Sequence, residues 1–408
     1  CGCSNAVFDH YRERSPTAKS GKIPEKRCAG DIVRLSDPGL ETGGRDRDRP
    51  QPLRKPSYDL SVPGSDFVQE VGILNPDFDV LGIGLNATDT LILIPEYPPY
   101  AGKIAFDREI LSPGGQVASA VVACARLGLR ARYIGTVGDD LRGDVQRQSL
   151  DGTGVDTSGL IVRKGCANQT AYILIDQRTG ERTVLWQRPD GLKLNPDDIL
   201  AEDIWGARLL HIDGYDTEAA AKAAGIARKA GIPVSLDVDT IYPDFEAVLS
   251  NVDYLMASSV WPAKWTGESD CFVALARLQQ EYGFTVSAMT LGEYGSMALF
   301  EGEYHYAPAF QVHCADTTGA GDAFHGAFCY AMLQGMPMRR ALDFSNAAAA
   351  LNCTAIGARG NIATLAEVET LLDLSENGKV TRREDQEIAT RCLTERPVKA
   401  KALSQRVR

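Results

Sequence analysis

Residues 315–328 read ADTTGAGDAFHGAF, a glycine-rich turn followed by the start of an apolar helical pattern. The first backbone N–H groups of a helix have no partners within the helix, and they point outward at the positive end of its dipole. Because glycine carries no Cβ atom, Gly319 and Gly321 would let an anion come close to these groups. We therefore predict an anion-binding helix start at the amides of Gly319, Ala320 and Gly321.

An aspartate, Asp322, stands inside this predicted anion site. A carboxylate repels a neighbouring polyphosphate, so it would be a poor choice if the site only bound the anion. The same carboxylate is useful when it must accept a proton from a hydroxyl group that attacks the phosphate. We therefore predict that Asp322 is a catalytic base; the alternative is an ordinary aspartate at a helix start.

Apolar runs and helical patterns alternate along the middle of the chain, residues 77–375. Residues 114–128 form one helical pattern, because Val117, Val121 and Cys124 fall on one face. The runs that predict buried strands are FDVLGIGLN, ARYIGTVG, RLLHID, IPVSLDV, DYLMAS and FTVSAMTLG. Strands that alternate with helices predict an α/β fold with a doubly wound, mostly parallel sheet flanked by helices.

Two segments, about residues 88–112 and 168–188, interrupt this alternation. The first is strand-like and broken by prolines, and the second predicts a hairpin around DQRTGE. Their alternating apolar and polar residues suit a small β-sheet with one solvated face, and we predict that it forms a lid over the strand ends, where open α/β sheets bind ligands. Since LILI and AYILI are more apolar than a solvated flap needs, we also predict a homodimer joined through the lid.

The two ends of the chain differ in composition from the middle. Residues 1–76 are charged, rich in proline and poor in aliphatic side chains, so we predict a disordered N-terminal extension. Residues 376–408 form a charged C-terminal tail, for which we predict a short helix.

The overall composition argues against several classes of function. A formal net charge of −11 argues against a general binder of nucleic acid or of anionic membranes. No apolar run reaches the length of about 18 residues that spans a bilayer. The ten cysteines are scattered without a C-x-x-C pair, which indicates a reducing, cytoplasmic location.

Gly82, Gly84 and Ala87 match the G-x-G-x-x-A pattern of dinucleotide-binding folds. That pattern requires a helix directly afterwards, whereas this chain continues with TDTLILIP, which is β-branched and ends at Pro95. The context therefore argues against a dinucleotide site, and the absence of G-x-x-x-x-G-K-[ST] argues against a P-loop.

DTTGAGDAFHGA, residues 316–327, resembles the C-terminal signature of the PfkB, or ribokinase-like, carbohydrate kinases almost residue for residue. GGQVASAVVACARLG resembles the family's N-terminal signature, and the likeness spans about residues 77–370. The family fold is a doubly wound sheet with a small β lid. The resemblance implies an ATP-dependent kinase that transfers the γ-phosphate to a hydroxyl of a sugar, with ATP and Mg²⁺ and, in some members, K⁺.

The resemblance also implies roles for individual residues. It makes Asp322 the base and the amides of Gly319, Ala320 and Gly321 the anion hole. The residues that it assigns to the sugar are Asp89, Asn86, Gly114, Gly115, Ser119 and Lys103. The residues that it assigns to the nucleotide are Thr290, Gly292, Gly295, Thr318 and Asn346, and those for a monovalent cation are Asp316 and Thr318. Ordinary turn or packing chemistry is the alternative at most of these positions, and Lys103 is equally explained as a solvated lid lysine.

Some positions depart from the family pattern. Ser119 stands where the family commonly has an asparagine that contacts sugar, which indicates a different sugar pocket. Ser258 and Trp261 stand where the family's N-x-x-E motif is expected, so the positioning of the metal is expected to differ. The chain is similar to the ketohexokinase and sulfofructose kinase branch, but Tyr215 stands near the position of the arginine expected for a sulfonate. The substrate class is therefore a sugar or sugar-like polyol.

Two other functions compete with a sugar kinase. One is a nucleoside kinase of the same fold. The other is a catalytically weak sugar or nucleotide sensor, which the altered N-x-x-E region favours and the intact Asp322 opposes. Fold likeness alone does not choose the substrate.

Overall fold

A nine-stranded sheet forms the centre of the protein, whose computed structural model describes residues 76–178 and 182–395. Its strands are β1 (Phe78–Ile83), β4 (Ala131–Gly138), β5 (Leu160–Arg163), β8 (Ala207–Ile212), β9 (Val234–Val238), β10 (Tyr254–Ala257), β11 (Val286–Thr290), β12 (Ser296–Phe300) and β13 (Glu303–Ala307). They lie in the order β13-β12-β11-β10-β9-β8-β1-β4-β5. All neighbouring pairs from β11 to β5 are parallel, and β12 and β13 are antiparallel at one edge. The predicted α/β class with a mostly parallel sheet is confirmed.

Helices cover both faces of this sheet. They are α1 (Gln116–Arg126), α2 (Leu141–Gly152), α3 (Ala201–Trp205), α4 (Thr217–Lys229), α5 (Glu246–Leu249), α6 (Trp261–Thr266), α7 (Cys271–Tyr282), α8 (Ala320–Leu333), α9 (Met338–Asn352), α10 (Leu365–Glu376) and α11 (Gln386–Thr394). Successive strand residues point to opposite faces. Val80 therefore packs in a cluster with α1, α8 and α9, whereas Leu81 packs in a second cluster with α4 and α5.

The order of the strands reverses next to β1, which lies between β4 and β8. In open α/β sheets, ligands bind beyond the carboxyl ends of the strands at such a reversal. β1 leads there into Gly84 and Leu85, and β8 leads into Asp213. The backbone N–H of Leu85 donates to Asp213 Oδ2 at 2.7 Å, so the two strand ends are joined at the expected site of the cleft.

A second sheet of four strands corresponds to the predicted small β lid. It consists of β2 (Ala87–Ile94), β3 (Arg108–Gly114), β6 (Thr170–Asp176) and β7 (Arg182–Gln187), in the order β3-β2-β6-β7. β6 and β7 form the predicted antiparallel hairpin, whose turn residues 179–181 lie outside the described residues. One face buries Leu91 and Ile173, while the other exposes Leu111, Tyr172 and Leu185.

The first part of the C-terminal tail packs on the domain. β15 (Arg382–Arg383) pairs with β14 (Ala309–Phe310), and α11 is the predicted short helix. Arg391 of α11 lies 4.0 Å above the ring of Phe272 and bonds Asp270 at 2.8 Å. In the described part of the chain, no helix has the length and apolar character to cross a membrane. The expectations for residues 1–75 and 396–408 concern residues outside those described.

Candidate active site

The loop before α8 has a shape that its own side chains and one glycine determine. Asp316 Oδ1 accepts from the N–H and the hydroxyl of Thr318 at 2.9 and 2.8 Å, and its Oδ2 accepts from the N–H of Gly357 at 2.9 Å. Gly319 has a φ of 76°, and a Cβ atom there would lie 2.1 Å from the carbonyl oxygen of Ala358. Only glycine fits this position without strain. Both carboxylate oxygens of Asp316 thus fix the shape of this loop.

The start of α8 is open on the side where an anion would bind. The helix begins at Ala320, as the sequence pattern predicts, and Gly321 is exposed. A Cβ atom at Gly321 would meet no atom within 4 Å, so a phosphate group can approach the first turn. The amides of Gly319, Ala320 and Gly321 therefore lie at a helix start with the chemistry of an anion hole.

Asp322 lies in the first turn of α8 with a half-buried side chain. Burial and the neighbouring carboxylates of Asp237, Asp89 and Asp239 raise its pKa well above the usual range, and the guanidinium of Arg359 opposes that shift. A raised pKa brings a carboxylate closer to the acidity that suits a base near neutral pH.

The lid contributes a second carboxylate, Asp89 on β2, which is buried with 5% of its surface exposed. Burial raises its pKa to about 7, with a smaller contribution from Asp316, while Arg359 is the strongest of the cations that oppose the shift. A Cβ atom on Gly114 would lie 2.3 Å from Asp89 Oδ2, so the lid strand and the start of α1 approach each other closely. Gly115, with a φ of 95°, would collide in the same way with the Cα of Asn86.

Three of the residues assigned to the sugar have other surroundings. The Asn86 amide donates to the Tyr133 hydroxyl at 3.0 Å and to the Thr136 carbonyl at 2.7 Å. Ser119 is fully buried on α1 and accepts a bond from Arg359. Lys103 is exposed in the segment between β2 and β3. Asn86 and Ser119 therefore shape the walls of the site through protein contacts.

The residues assigned to the nucleotide divide between two places. Thr290 ends β11, and Gly292 begins the exposed turn after it with a φ of 58°. Gly295 and Asn346 meet at the carbonyl of Ala307, which would lie 2.0 Å from a Cβ on Gly295 and accepts from the Asn346 amide at 2.9 Å. Thr318 instead bonds Asp316 in the loop before α8.

Sequence reasoning missed two arginines of the site. Arg182 begins β7 of the lid, and its guanidinium donates to the hydroxyl of Thr317 in the loop before α8. Arg359 interacts electrostatically with both Asp89 and Asp322. Arg359 belongs to the GARG stretch, which was noted only as part of the resemblance to the family. Neither arginine stands in a local sequence pattern that indicates a site.

The region of the expected N-x-x-E motif offers no carboxylate. Trp261 is fully buried, and its indole N–H donates to the carbonyl of Thr240 at 3.2 Å. Among the residues that the structure describes, no group of three or more His, Cys, Asp or Glu side chains is placed to hold a metal ion. Asp239, exposed after β9, and Asp237 are the carboxylates near Asp322. Such a donor set fits a magnesium ion that is held largely by nucleotide phosphates and water.

Comparison with known proteins gives consistent matches over the domain that holds this site. The model of the pfkB family carbohydrate kinases matches residues 98–365. The ATP-dependent ribose-1-phosphate kinase of Halopiger xanaduensis is 29% identical over 289 residues, which are 69% of this chain and 93% of that protein. A ribokinase-like crystal structure from Agrobacterium tumefaciens has a TM-score of 0.68 and 32% identity, and covers 73% of this chain and 99% of its own. Arabidopsis thaliana ribokinase, solved with ribose and ATP, has a TM-score of 0.63 and 25% identity, and the match covers 73% of this chain and 99% of the ribokinase chain.

Proposed function

Since the chain belongs to the pfkB family of carbohydrate kinases, we propose that Asp322 is the base with which it transfers the γ-phosphate of ATP to a hydroxyl group of a sugar. One observation carries this assignment: Asp322 lies in the first turn of α8 beside the open amides of residues 319–321, within electrostatic reach of the lid carboxylate Asp89. The helix start suits the phosphate, and the two acids suit the hydroxyl groups of the acceptor.

The reaction follows from the chemistry of these groups. A carboxylate oxygen of Asp322 takes the proton of the attacking sugar hydroxyl. The sugar oxygen then forms a bond to the γ-phosphorus as the bond between that phosphorus and the leaving oxygen of ADP breaks. The amides of Gly319, Ala320 and Gly321 stabilise the charge on the phosphoryl group during the transfer. The positive end of the α8 dipole acts in the same direction.

Asp89 is proposed to hold the acceptor. A carboxylate accepts hydrogen bonds from two hydroxyl groups at once, as a polyol requires. Those bonds stabilise the ionised form, so sugar binding should lower the pKa of Asp89 from about 7. Gly114 and Gly115 allow the chain to turn from the lid into α1 directly beside this carboxylate.

ATP is proposed to bind between the turn after β11 and the buried face of α9, with Thr290, Gly292, Gly295 and Asn346 near the adenosine. When bound, Mg²⁺ would neutralise part of the negative charge of the phosphates. The exposed Asp239 would be the protein carboxylate open to it, whereas Asp237 is buried and lies 3.1 Å from His325 Nε2.

The lid also offers an aromatic surface to the acceptor. Trp186 shares a cross-strand row with Asp89 through Ala171, and its ring is 59% exposed. It meets the ring of Tyr215 edge to face at 6.1 Å. Such rings cover the apolar face of a sugar. The same pair favours a nucleoside as second candidate, because a base also stacks on aromatic rings.

The acceptor can be identified by ADP formation from ATP and Mg²⁺ across ketoses, aldoses, sugar phosphates and nucleosides, with Asp322→Asn as the inactive control. We expect one of the sugar classes to give turnover well above the ATPase background. Turnover with nucleosides alone would support the second candidate. Calorimetric binding of a sugar without ADP formation would contradict the kinase and support a sensor.

The lid surface and the cysteines support two further proposals. Leu111, Tyr172 and Leu185 line up across three lid strands, with Thr90 between them, and all three are exposed. We propose that a second copy covers this row in a homodimer.

The seven cysteines in the described part of the chain are free thiols, which supports a cytoplasmic location.

A further inference from the structure

Arg359 makes an unusually complete set of hydrogen bonds at the base of the lid. Its guanidinium donates to the Gly114 carbonyl at 3.0 Å and to Ser119 Oγ at 3.2 Å. It also donates to Ser149 Oγ at 2.8 Å and to Gln146 Oε1 at 3.2 Å, both on α2. One side chain thus joins the end of β3, α1 and α2, which a lysine could not do because it lacks the planar fork of donors.

The backbone that carries Arg359 is itself packed on the loop before α8. The Gly357 N–H bonds Asp316, and the Ala358 carbonyl lies against Gly319, where a Cβ would be 2.1 Å away. The next residue reaches Gly114, which in turn contacts Asp89. Residues 357–359 therefore connect the proposed anion hole with the proposed sugar site.

Carboxylates from two other elements act on Asp322. Asp237 lies on β9 and Asp239 directly after it, and Asp89 comes from β2. Arg359 is the cation that opposes them at Asp322. The side chain of Asp237 is also paired with the imidazole of His325 on α8, at 3.1 Å.

Asp89 has its own charged neighbours. They are Asp316, Arg182, Arg142 and Arg359. Arg182 is exposed on the lid and Arg142 bonds Thr90 at 3.1 Å, so Arg359 is the cation of this set that is hydrogen-bonded to Gly114 beside the carboxylate.

We propose that Arg359 is a positioning residue that holds the Gly114 backbone, and with it the proposed sugar site at Asp89, in place beside the loop that leads to Asp322. The proposal rests on the function assigned to Asp322 above. The same role explains the serine at position 119, because its short side chain leaves room for the guanidinium and its hydroxyl accepts a hydrogen bond from Arg359 Nε–H.

Removing the charge of Arg359 should also raise the pKa of Asp322 further, because Arg359 is the cation that opposes the effect of its neighbouring acids. An opposite charge at close range lowers a carboxyl pKa by about 1–3 units. In Arg359→Met, the acid limb of the kcat/KM profile should move to higher pH by about one unit or more, and activity lost at pH 7 should return partly at pH 9. Arg359→Lys keeps the charge but loses the fork, so its limb should move less while its KM for the sugar rises.

The test compares these profiles with that of Arg340→Met, a matched control. Arg340 lies on α9 and pairs with Glu369 and Glu376 at 2.8 and 3.0 Å, so its loss should leave the limb in place. A wild-type enzyme with no kinase activity would defeat the proposed function and not this inference. If the wild type is active and the acid limb of the kcat/KM profile lies at the same pH in Arg359→Met and Arg359→Lys as in the wild type, the role of Arg359 is overturned.

A second measurement does not depend on activity. In ligand-free protein at pH 8, Asp322→Asn should raise the melting temperature more in the Arg359→Met background than in the wild type, because the acid has lost its counter-charge. Equal effects in both backgrounds would overturn the electrostatic coupling. If Arg359→Met does not fold, the same cycle with Arg359→Lys should show a smaller difference of the same sign, and none would count against the proposal.

Discussion

Replacing Asp89 by asparagine should make the ligand-free protein more stable at neutral and alkaline pH. Burial raises the pKa of this carboxyl from 3.8 to about 7. The folded protein therefore holds the proton more tightly than the unfolded chain does. The cost of ionising Asp89 is absent below about pH 4, grows between about pH 4 and 7, and is complete above that range.

The structure gives a ceiling for this cost. A difference of about three pKa units corresponds to about 4 kcal/mol of unfolding free energy. For a domain of about 320 residues, with an unfolding entropy of about 2 cal/mol/K per residue, this is about 6 °C in melting temperature. We expect Asp89→Asn to gain about 3–6 °C at pH 8 and almost nothing at pH 4.5.

The assay is thermal unfolding of both proteins at intervals between pH 4.5 and 8.5, without nucleotide or sugar. Asp373→Asn is the matched control, since Asp373 is exposed on α10 and water solvates it in both states. A melting temperature for Asp89→Asn that equals that of the wild type at pH 8, or lies below it, would show that burial imposes no ionisation cost on Asp89.

Four further predictions concern the magnesium ion, the monovalent cation, the lid surface and the N-terminal residues. EDTA should abolish turnover and excess Mg²⁺ should restore it, so activity that survives EDTA would contradict the role given to the metal. K⁺ should raise turnover relative to tetramethylammonium, and equal rates would remove the monovalent site expected at Asp316 and Thr318. The wild type should sediment as a dimer, and Leu185→Glu as a monomer, while the exposed Leu393→Glu on α11 stays dimeric; a monomeric wild type at micromolar concentration would refute the lid dimer. A protein that begins at Asp77 should keep its melting temperature and turnover, and a large loss of either would show that the preceding residues contribute.

The fold could be predicted because its pattern is local. Buried parallel strands are continuous apolar runs, and the helix of residues 116–126 shows its periodicity within one segment. The loop before α8 was recognisable for the same reason, since the glycines and Asp322 stand within a few residues of each other. The small lid sheet followed from the interruption of the alternation between strands and helices.

The remaining features depend on contacts between distant segments. Arg359 bonds Gly114 across 245 residues and Ser119 across 240, and no pattern within one segment indicates such a partner. Asn86 illustrates the opposite difficulty. It stands after a strand, where a ligand contact is expected, but its amide turns inward to Tyr133, 47 residues away. The chemistry of a side chain is visible in the sequence, whereas the direction in which it points is decided by packing.

The most direct test of the account is the turnover of Asp322→Asn, measured with the preferred acceptor at saturating ATP and Mg²⁺. Asparagine keeps the size of the side chain and suits a helix start as well as aspartate does, but it accepts no proton. Asp89→Asn is the comparison, since loss of a contact made mainly with the bound substrate should raise KM before it lowers kcat. We expect Asp322→Asn to lower kcat by about 10²–10⁴-fold and to change the sugar Kd far less. Near-normal turnover in Asp322→Asn would mean that the base lies elsewhere, and it would contradict the central claim.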